Sequence, residues 1–255
     1  MIKPDYDGYL SVSDTQLYYR LYGKGHPHTL LFLHGNGEDW HCFENQIEPF
    51  SKDYQIILLD SRGHGKSGHG EGTLTLRRMA ADIPVFLRKL NLKRVTLIGF
   101  SDGANISLLA ALHSSFPFEA LILAGGNLFP KGIRFRDQFP FILNYYRYCF
   151  TPFLSKEKQR EKEYLGLMVR EPCIQPDSLK RITCPVLVLA GSRDMIKRSH
   201  TRLIARSLPN ATLSILPGAD HFLFGRFAEE TNAKILSFLQ ELSLDPAKPL
   251  HAASI

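Results

Sequence analysis

"VTLIGFSDGANI" (residues 95–106) starts as an unbroken apolar run and passes into a second apolar pattern, "ANISLLAALH" (104–113). A short run without alternation reads as a strand covered on both faces. A pattern apolar nearly all round reads as a helix buried in the middle of the molecule. Between them stands Ser101, with Gly99 and Gly103 two residues away on either side. Two readings of this stretch stand open. It is an ordinary tight turn, or the glycines let Ser101 be held in a strained pose and used.

Working outward, apolar runs recur at 29–33 (TLLFL), 55–59 (QIILL), 120–124 (ALILA), 185–190 (PVLVLA) and 212–216 (TLSIL). Helical spacing lies between them. Trp40, Phe43, Ile47 and Phe50 fall 3, 4 and 3 apart, and Leu76, Met79, Ile83, Leu87 and Leu90 follow a similar rhythm. Pro84 interrupts the second series, which predicts a kink there or a later helix start. Strands alternating with helices predict an α/β fold with a mostly parallel, doubly wound sheet. Residues 8–22 alternate polar and apolar, as a hairpin on the sheet edge would.

The alternation breaks once. About sixty residues separate the runs at 120–124 and 185–190, too many for a simple crossover. They hold nine aromatic residues from Phe129 to Phe153, then the charged run KEKQREKE (156–163). This predicts a core of residues 1–127 and 179–244, a small helical cap inserted at 128–178, and a loose tail at 245–255. The cap aromatics are expected to glue the cap to the body, to line an apolar substrate pocket, or both, with Phe129 a pocket candidate. The charged run mixes both signs and reads as a solvated helix face.

The 255 residues, 44% hydrophobic and 22% charged, suit a globular chain with a sizeable core. A net charge of +6 raises the question of nucleic acid, but the basic residues are scattered among acids and no nucleic-acid partner is expected. Cys42, Cys149, Cys173 and Cys184 show no metal or redox spacing, which points to reduced thiols and a cytoplasmic location. No signal peptide or membrane insertion is expected, and oligomeric state is not legible. The histidines form no ligand set such as HExxH, so neither metal nor cofactor is expected.

In an open α/β sheet, ligands bind beyond the carboxyl ends of the strands. There the chain places His34-Gly35-Asn36-Gly37, Asp60-Ser61-Arg62-Gly63-His64-Gly65, Ser101, Gly191-Ser192-Arg193-Asp194 and Gly218-Ala219-Asp220-His221. A serine, an acid and a histidine thus reach one edge, in that chain order. Serine needs a base to become a nucleophile at neutral pH, and histidine titrates in the right range. A carboxylate on the far ring nitrogen fixes the tautomer and stabilises the imidazolium. Asp194 is the best acid by position, although Asp also caps helices and "MIKRSHTRLIA" follows it. Asp220 adjoins His221, so their side chains diverge, and Asp60 precedes the serine.

GxSxG between strand and buried helix, with "HGNG", "DSRGHGKSG", "AGSRD" and "GADH", resembles the α/β-hydrolase family over about residues 8–242. The resemblance implies Ser101 as nucleophile, His221 as base, Asp194 as acid, and backbone N–H groups of Asn36 and Asp102 for the oxyanion. It assigns His34 to bracing the oxyanion loop. Within the family, serine argues against epoxide hydrolases and haloalkane dehalogenases, which use a carboxylate. Carbon–carbon hydrolases usually carry Asn where Phe100 stands, and cofactor-free haloperoxidases usually carry Met where Asp102 stands. GxSDG is similar to valacyclovir hydrolase-like esterases, where an acid beside the nucleophile recognises an amine. Asp102 is equally accounted for as an acid at a helix N-terminus, worth ~0.3–1 kcal/mol. The expected activity is hydrolysis of a carboxylic ester of a small to medium, partly apolar substrate. The alternatives are a barely catalytic receptor on the same fold, or a carbon–carbon hydrolase or perhydrolase using the same residues.

Overall fold

The computed structural model describes residues 2–244; the loose tail expected at 245–255 lies outside them. Eight strands form one sheet: β1 (Tyr6–Val12), β2 (Thr15–Tyr22), β3 (Thr29–Leu33), β4 (Gln55–Leu59), β5 (Val95–Phe100), β6 (Ala120–Ala124), β7 (Val186–Gly191) and β8 (Ala211–Leu216). Their order is β1-β2-β4-β3-β5-β6-β7-β8. The β1–β2 hairpin is antiparallel and sits at one edge, β2 meets β4 antiparallel, and every later pairing is parallel. β5, which carries Ser101 at its end, lies centrally between β3 and β6.

The unbroken apolar runs have a direct cause. Successive side chains of a strand point to opposite faces, and both faces here are covered. Leu31, Leu33, Leu97, Leu121 and Val188 pack on one side with α2 (Leu76–Lys89) and α3 (Asp102–His113). Their neighbours Leu30, Phe32, Ile98, Ile122 and Leu189 pack on the other with α1 (Glu44–Ser51) and α7 (Ala228–Leu244). β8, at the far edge, is the one late strand with exposed residues.

Two local expectations needed adjustment, and one alternative falls away. The 40–50 periodicity is a short 3-10 turn at Trp40–Phe43 running into α1, with Asp39 accepting from the His41 backbone N–H at 2.9 Å. α2 starts at Leu76 and runs through Pro84, so no later start occurs; Thr75 caps it by accepting from the Arg78 N–H at 3.2 Å. α6 (Arg198–Ser207) begins after Lys197, so Asp194 does not cap it.

Between β6 and β7 lie α4 (Phe135–Cys149) and α5 (Lys156–Arg170). Most of the aromatics there do not glue the insertion to the body: Phe135, Phe139, Tyr146, Phe150 and Phe153 are exposed, from 48% for Phe139 to 102% for Phe153. The reason is that α4 meets its neighbours by its other face, where Gln138 is buried and donates to the Met168 carbonyl at 3.3 Å. The charged run forms the first turns of α5 and is solvated through Glu161. However, Arg160 and Tyr164 both donate to the Gly63 carbonyl, and Glu163 pairs with His69 at 2.9 Å, which fastens α5 to the glycine-rich 60–70 loop.

Candidate active site

The turn at Ser101 is strained and tightly packed. Ser101 has φ +53°, a conformation that costs a non-glycine residue ~1–3 kcal/mol. Its N–H donates to the Ala124 carbonyl at 2.8 Å, tying the tip of β5 to β6. A Cβ on Gly99 would meet the Gly103 carbonyl oxygen at 2.3 Å, and one on Gly103 would meet the Leu33 carbonyl oxygen at 1.9 Å. The glycines therefore let α3 start hard against β3 and β5, projecting the half-buried Ser101 side chain beyond the sheet.

Three side chains distant in sequence converge there. Ser101 Oγ lies 3.1 Å from His221 Nε2, and His221 Nδ1 lies 2.8 Å from Asp194 Oδ1. Asp194 Oδ1 also accepts from the Ile196 N–H at 2.9 Å, and both Asp194 and His221 are buried. With Nδ1–H donating to the carboxylate, Nε2 is left to accept the serine proton. The rival acids are occupied elsewhere. Asp220 pairs with Arg226 at 2.7 Å, and Asp60 accepts from the Trp40 and Lys66 N–H groups, each at 2.8 Å.

The loop after β3 closes over the serine: a Cβ on Gly35 would meet the Ser101 Cβ at 3.2 Å. Glu38 accepts from the Gly35 N–H at 3.0 Å, and His34 accepts from the Ser61 N–H at 2.9 Å while donating to the Gly35 carbonyl. Burial holds His34 down to about 4, so the ring stays neutral, as those bonds require. The backbone N–H groups of Asn36 and Asp102 find no acceptor among the described residues. The Asn36 side chain instead donates to the Tyr164 carbonyl on α5 at 2.8 Å.

Asp102 is buried. Its Oδ1 accepts from Asn105 at 3.1 Å, and its Oδ2 has no partner among the described residues. Desolvation first, with a secondary push from Glu171, raises its carboxyl to about 6. Phe129 is half-buried, and its ring stands edge-on to His200, centroids 4.5 Å apart, rather than against Ser101.

Sequence reasoning missed several residues that shape this site. Gly125 (φ +63°) sits where a Cβ would meet His221 Cε1 at 2.8 Å, so only a glycine leaves room for the imidazole. Asn127 and Asn105 bond each other (3.0 and 2.9 Å) and link the Asp102 carboxylate to the strand-end loop of β6. Their signal lay in the stretch Ala124-Gly125-Gly126-Asn127, two glycines and an amide at the end of an apolar run. Among the described residues no group of three or more His, Cys, Asp or Glu is placed to hold a metal ion.

Comparison with known proteins agrees with this fold. Serine hydrolase BPHL of Homo sapiens is 27% identical over 251 residues, covering 91% of this chain and 85% of that protein. A 3-oxoadipate enol-lactonase of Acinetobacter baylyi is 23% identical over 81% of this chain and 87% of its own length. The crystal structure of a hydrolase from Pseudomonas aeruginosa superposes with a TM-score of 0.77 at 24% identity, covering 92% of this chain and 98% of that one. The family model described as alpha/beta hydrolase fold matches residues 28–162, more than half the chain. On the strength of that match and of the fold, this chain belongs to the alpha/beta hydrolase fold family.

Proposed function

We propose that this chain is a serine hydrolase that cleaves carboxylic esters of small to medium, partly apolar substrates through an acyl-enzyme, with residues 128–178 as the cap over the site. The observation that carries this reading is the unbroken relay from Ser101 Oγ to His221 to Asp194, at 3.1 and 2.8 Å. Ser101 attacks the ester carbonyl as His221 Nε2 takes its proton, and the carbonyl oxygen becomes an oxyanion. The N–H groups of Asn36 and Asp102 receive that charge, each such donor being worth ~3–4 kcal/mol in the transition state. The imidazolium, held by Asp194, protonates the leaving alcohol. His221 then draws a proton from water, which attacks the acyl-serine and frees the acid. Cys42, Cys149 and Cys173 stand outside any disulfide, which suits a reducing compartment such as the cytoplasm.

A second reading narrows the substrate. The buried, unpartnered Oδ2 of Asp102, beside the nucleophile, favours esters whose acyl group carries an amine. An ammonium group arriving there would pair with the carboxylate and offset its desolvation.

The test is labelling with a fluorophosphonate probe, beside turnover of p-nitrophenyl esters of increasing acyl length and of amino-acid esters. Labelling is expected in the native chain and absent in Ser101→Ala, with turnover falling by about 10⁴–10⁶. Folded native protein that takes no label and turns over no ester would leave the receptor reading in its place.

A further inference from the structure

The exposed apolar residues of α4 form a stripe. Phe135, Phe139, Leu143, Tyr146 and Phe150 fall 4, 4, 3 and 4 apart, which puts all five on one helical face, and all are exposed. An amphipathic helix ordinarily turns such a face to the core. Here the core face is the other one, and the stripe looks outward with no other described segment packed over its exposed residues. Phe153, in the turn that follows, extends it. A contiguous apolar patch of this kind marks an interaction surface rather than scattered surface hydrophobes.

The charge around it identifies the partner. Residues 128–170 hold nine Lys and Arg against four Asp and Glu, a net +5 out of the +6 of the whole chain. Arg136 and Arg147 flank the stripe on α4, and Lys156 and Lys158 stand exposed at the start of α5. A cavity of about 850 Å³ joins the two features: Phe153 and Leu154 line it together with Lys156, Arg160 and Lys162, three cations against one carboxylate, Glu163, which is paired with His69. Two copies meeting by this face would oppose like charges across the seam. A phospholipid surface with anionic headgroups answers both features, taking the aromatics at the acyl boundary and the cations at the phosphates.

We propose that the α4 face docks this protein on anionic lipid surfaces, with α4 lying in the plane of the interface and the basic cavity beside Phe153 holding a headgroup. Fifteen residues of α4 cannot span a bilayer, so the association is peripheral. The ester-cleaving site would then lie beneath a cap resting on the lipid, open to substrates that partition there.

The experiment is vesicle co-sedimentation. The full chain is mixed with vesicles of phosphatidylcholine alone, or with vesicles containing roughly one-third phosphatidylglycerol. Binding is expected to the anionic vesicles only, and it should weaken as salt rises. The double variant Leu143→Ser/Phe150→Ser should lose about tenfold in affinity, and Lys156→Glu/Lys158→Glu at least as much. These positions are solvent-exposed, so the variants should keep the native melting temperature. They should also keep native turnover of a water-soluble short-chain ester, which separates this proposal from the hydrolase reading. Equal binding to both vesicles, no binding to either, or binding untouched by the variants overturns the proposal. So does a dimer in light scattering that Leu143→Ser/Phe150→Ser reduces to monomer, since the stripe would then be an interface between copies.

Discussion

The proposed mechanism asks two things of Asp102 that conflict. Its backbone N–H faces the oxyanion in the proposed mechanism, while its carboxyl lies buried with one oxygen unpartnered. Desolvation raises that carboxyl from 3.8 to about 6, so ionising it works against the fold. The folded state holds the proton more tightly than the unfolded one, and the associated stability is present below pH ~4 and lost as pH rises through 6. Asp102→Asn keeps the N–H and removes the charge. It should therefore be more stable than the native chain above pH 6, by up to about 3 kcal/mol, with the gap closing toward pH 4 in urea titrations. Turnover of neutral esters should persist. If amine recognition operates, the preference for amino-acid esters should vanish; equal loss on both ester classes would remove that reading. A smaller residue-scale constraint acts on His221, since the missing side chain of Gly125 clears space for its ring.

At the scale of elements, the decisive junction is β5 to α3. Its close approach rests on Gly103, whose missing side chain lets the helix start touch the Leu33 carbonyl of β3. A methyl group 1.9 Å from that oxygen cannot be relieved by a rotamer change, because both partners are backbone. Gly103→Ala should cost at least about 3 kcal/mol in chemical denaturation and reduce soluble yield; a native midpoint would mean the junction yields more than its geometry suggests. The inserted helices are fastened differently. α5 reaches the body through Tyr164 and Arg160 on the Gly63 carbonyl and through the stack of Tyr164 on His64, 4.4 Å between centroids. α4 rests on α5, and that arrangement leaves its apolar stripe outward.

For the whole molecule, acid sensitivity should come partly from histidines that bear no catalytic role in the proposed mechanism. Burial holds His34 down to about 4 and His64 to about 3. The unfolded chain protonates both near pH ~6.5, so it binds more protons than the folded state below that value. Stability from these two groups is full above ~6.5 and drains as pH falls toward 4. Buried carboxyls such as Asp102 act in the opposite sense, so the measurement is a difference. His64→Phe keeps an aromatic ring against Tyr164, and its urea midpoint should gain on the native one as pH drops from ~6.5 to 4. Parallel curves would show that His64 takes its proton without unfolding.

Much of this molecule was legible in the chain itself. Strands buried on both faces must be apolar at every position, so β3 to β7 announced themselves; the alternation over 8–22 gave the hairpin, and the long gap before β7 left room for two further helices. The polar residues at strand ends stood out against that background, which is why Ser101, Asp194 and His221 could be named together before any distance was known. Side-chain orientation was not legible. The α4 periodicity fixes a face but not its direction, and only packing against α5 turned Phe135, Phe139 and Phe150 toward solvent. The space left by Gly125, the orphaned oxygen of Asp102 and the fastening of α5 to Gly63 belong to the same class. Each depends on which segments meet in space, and local pattern carries no record of a neighbour a hundred residues away.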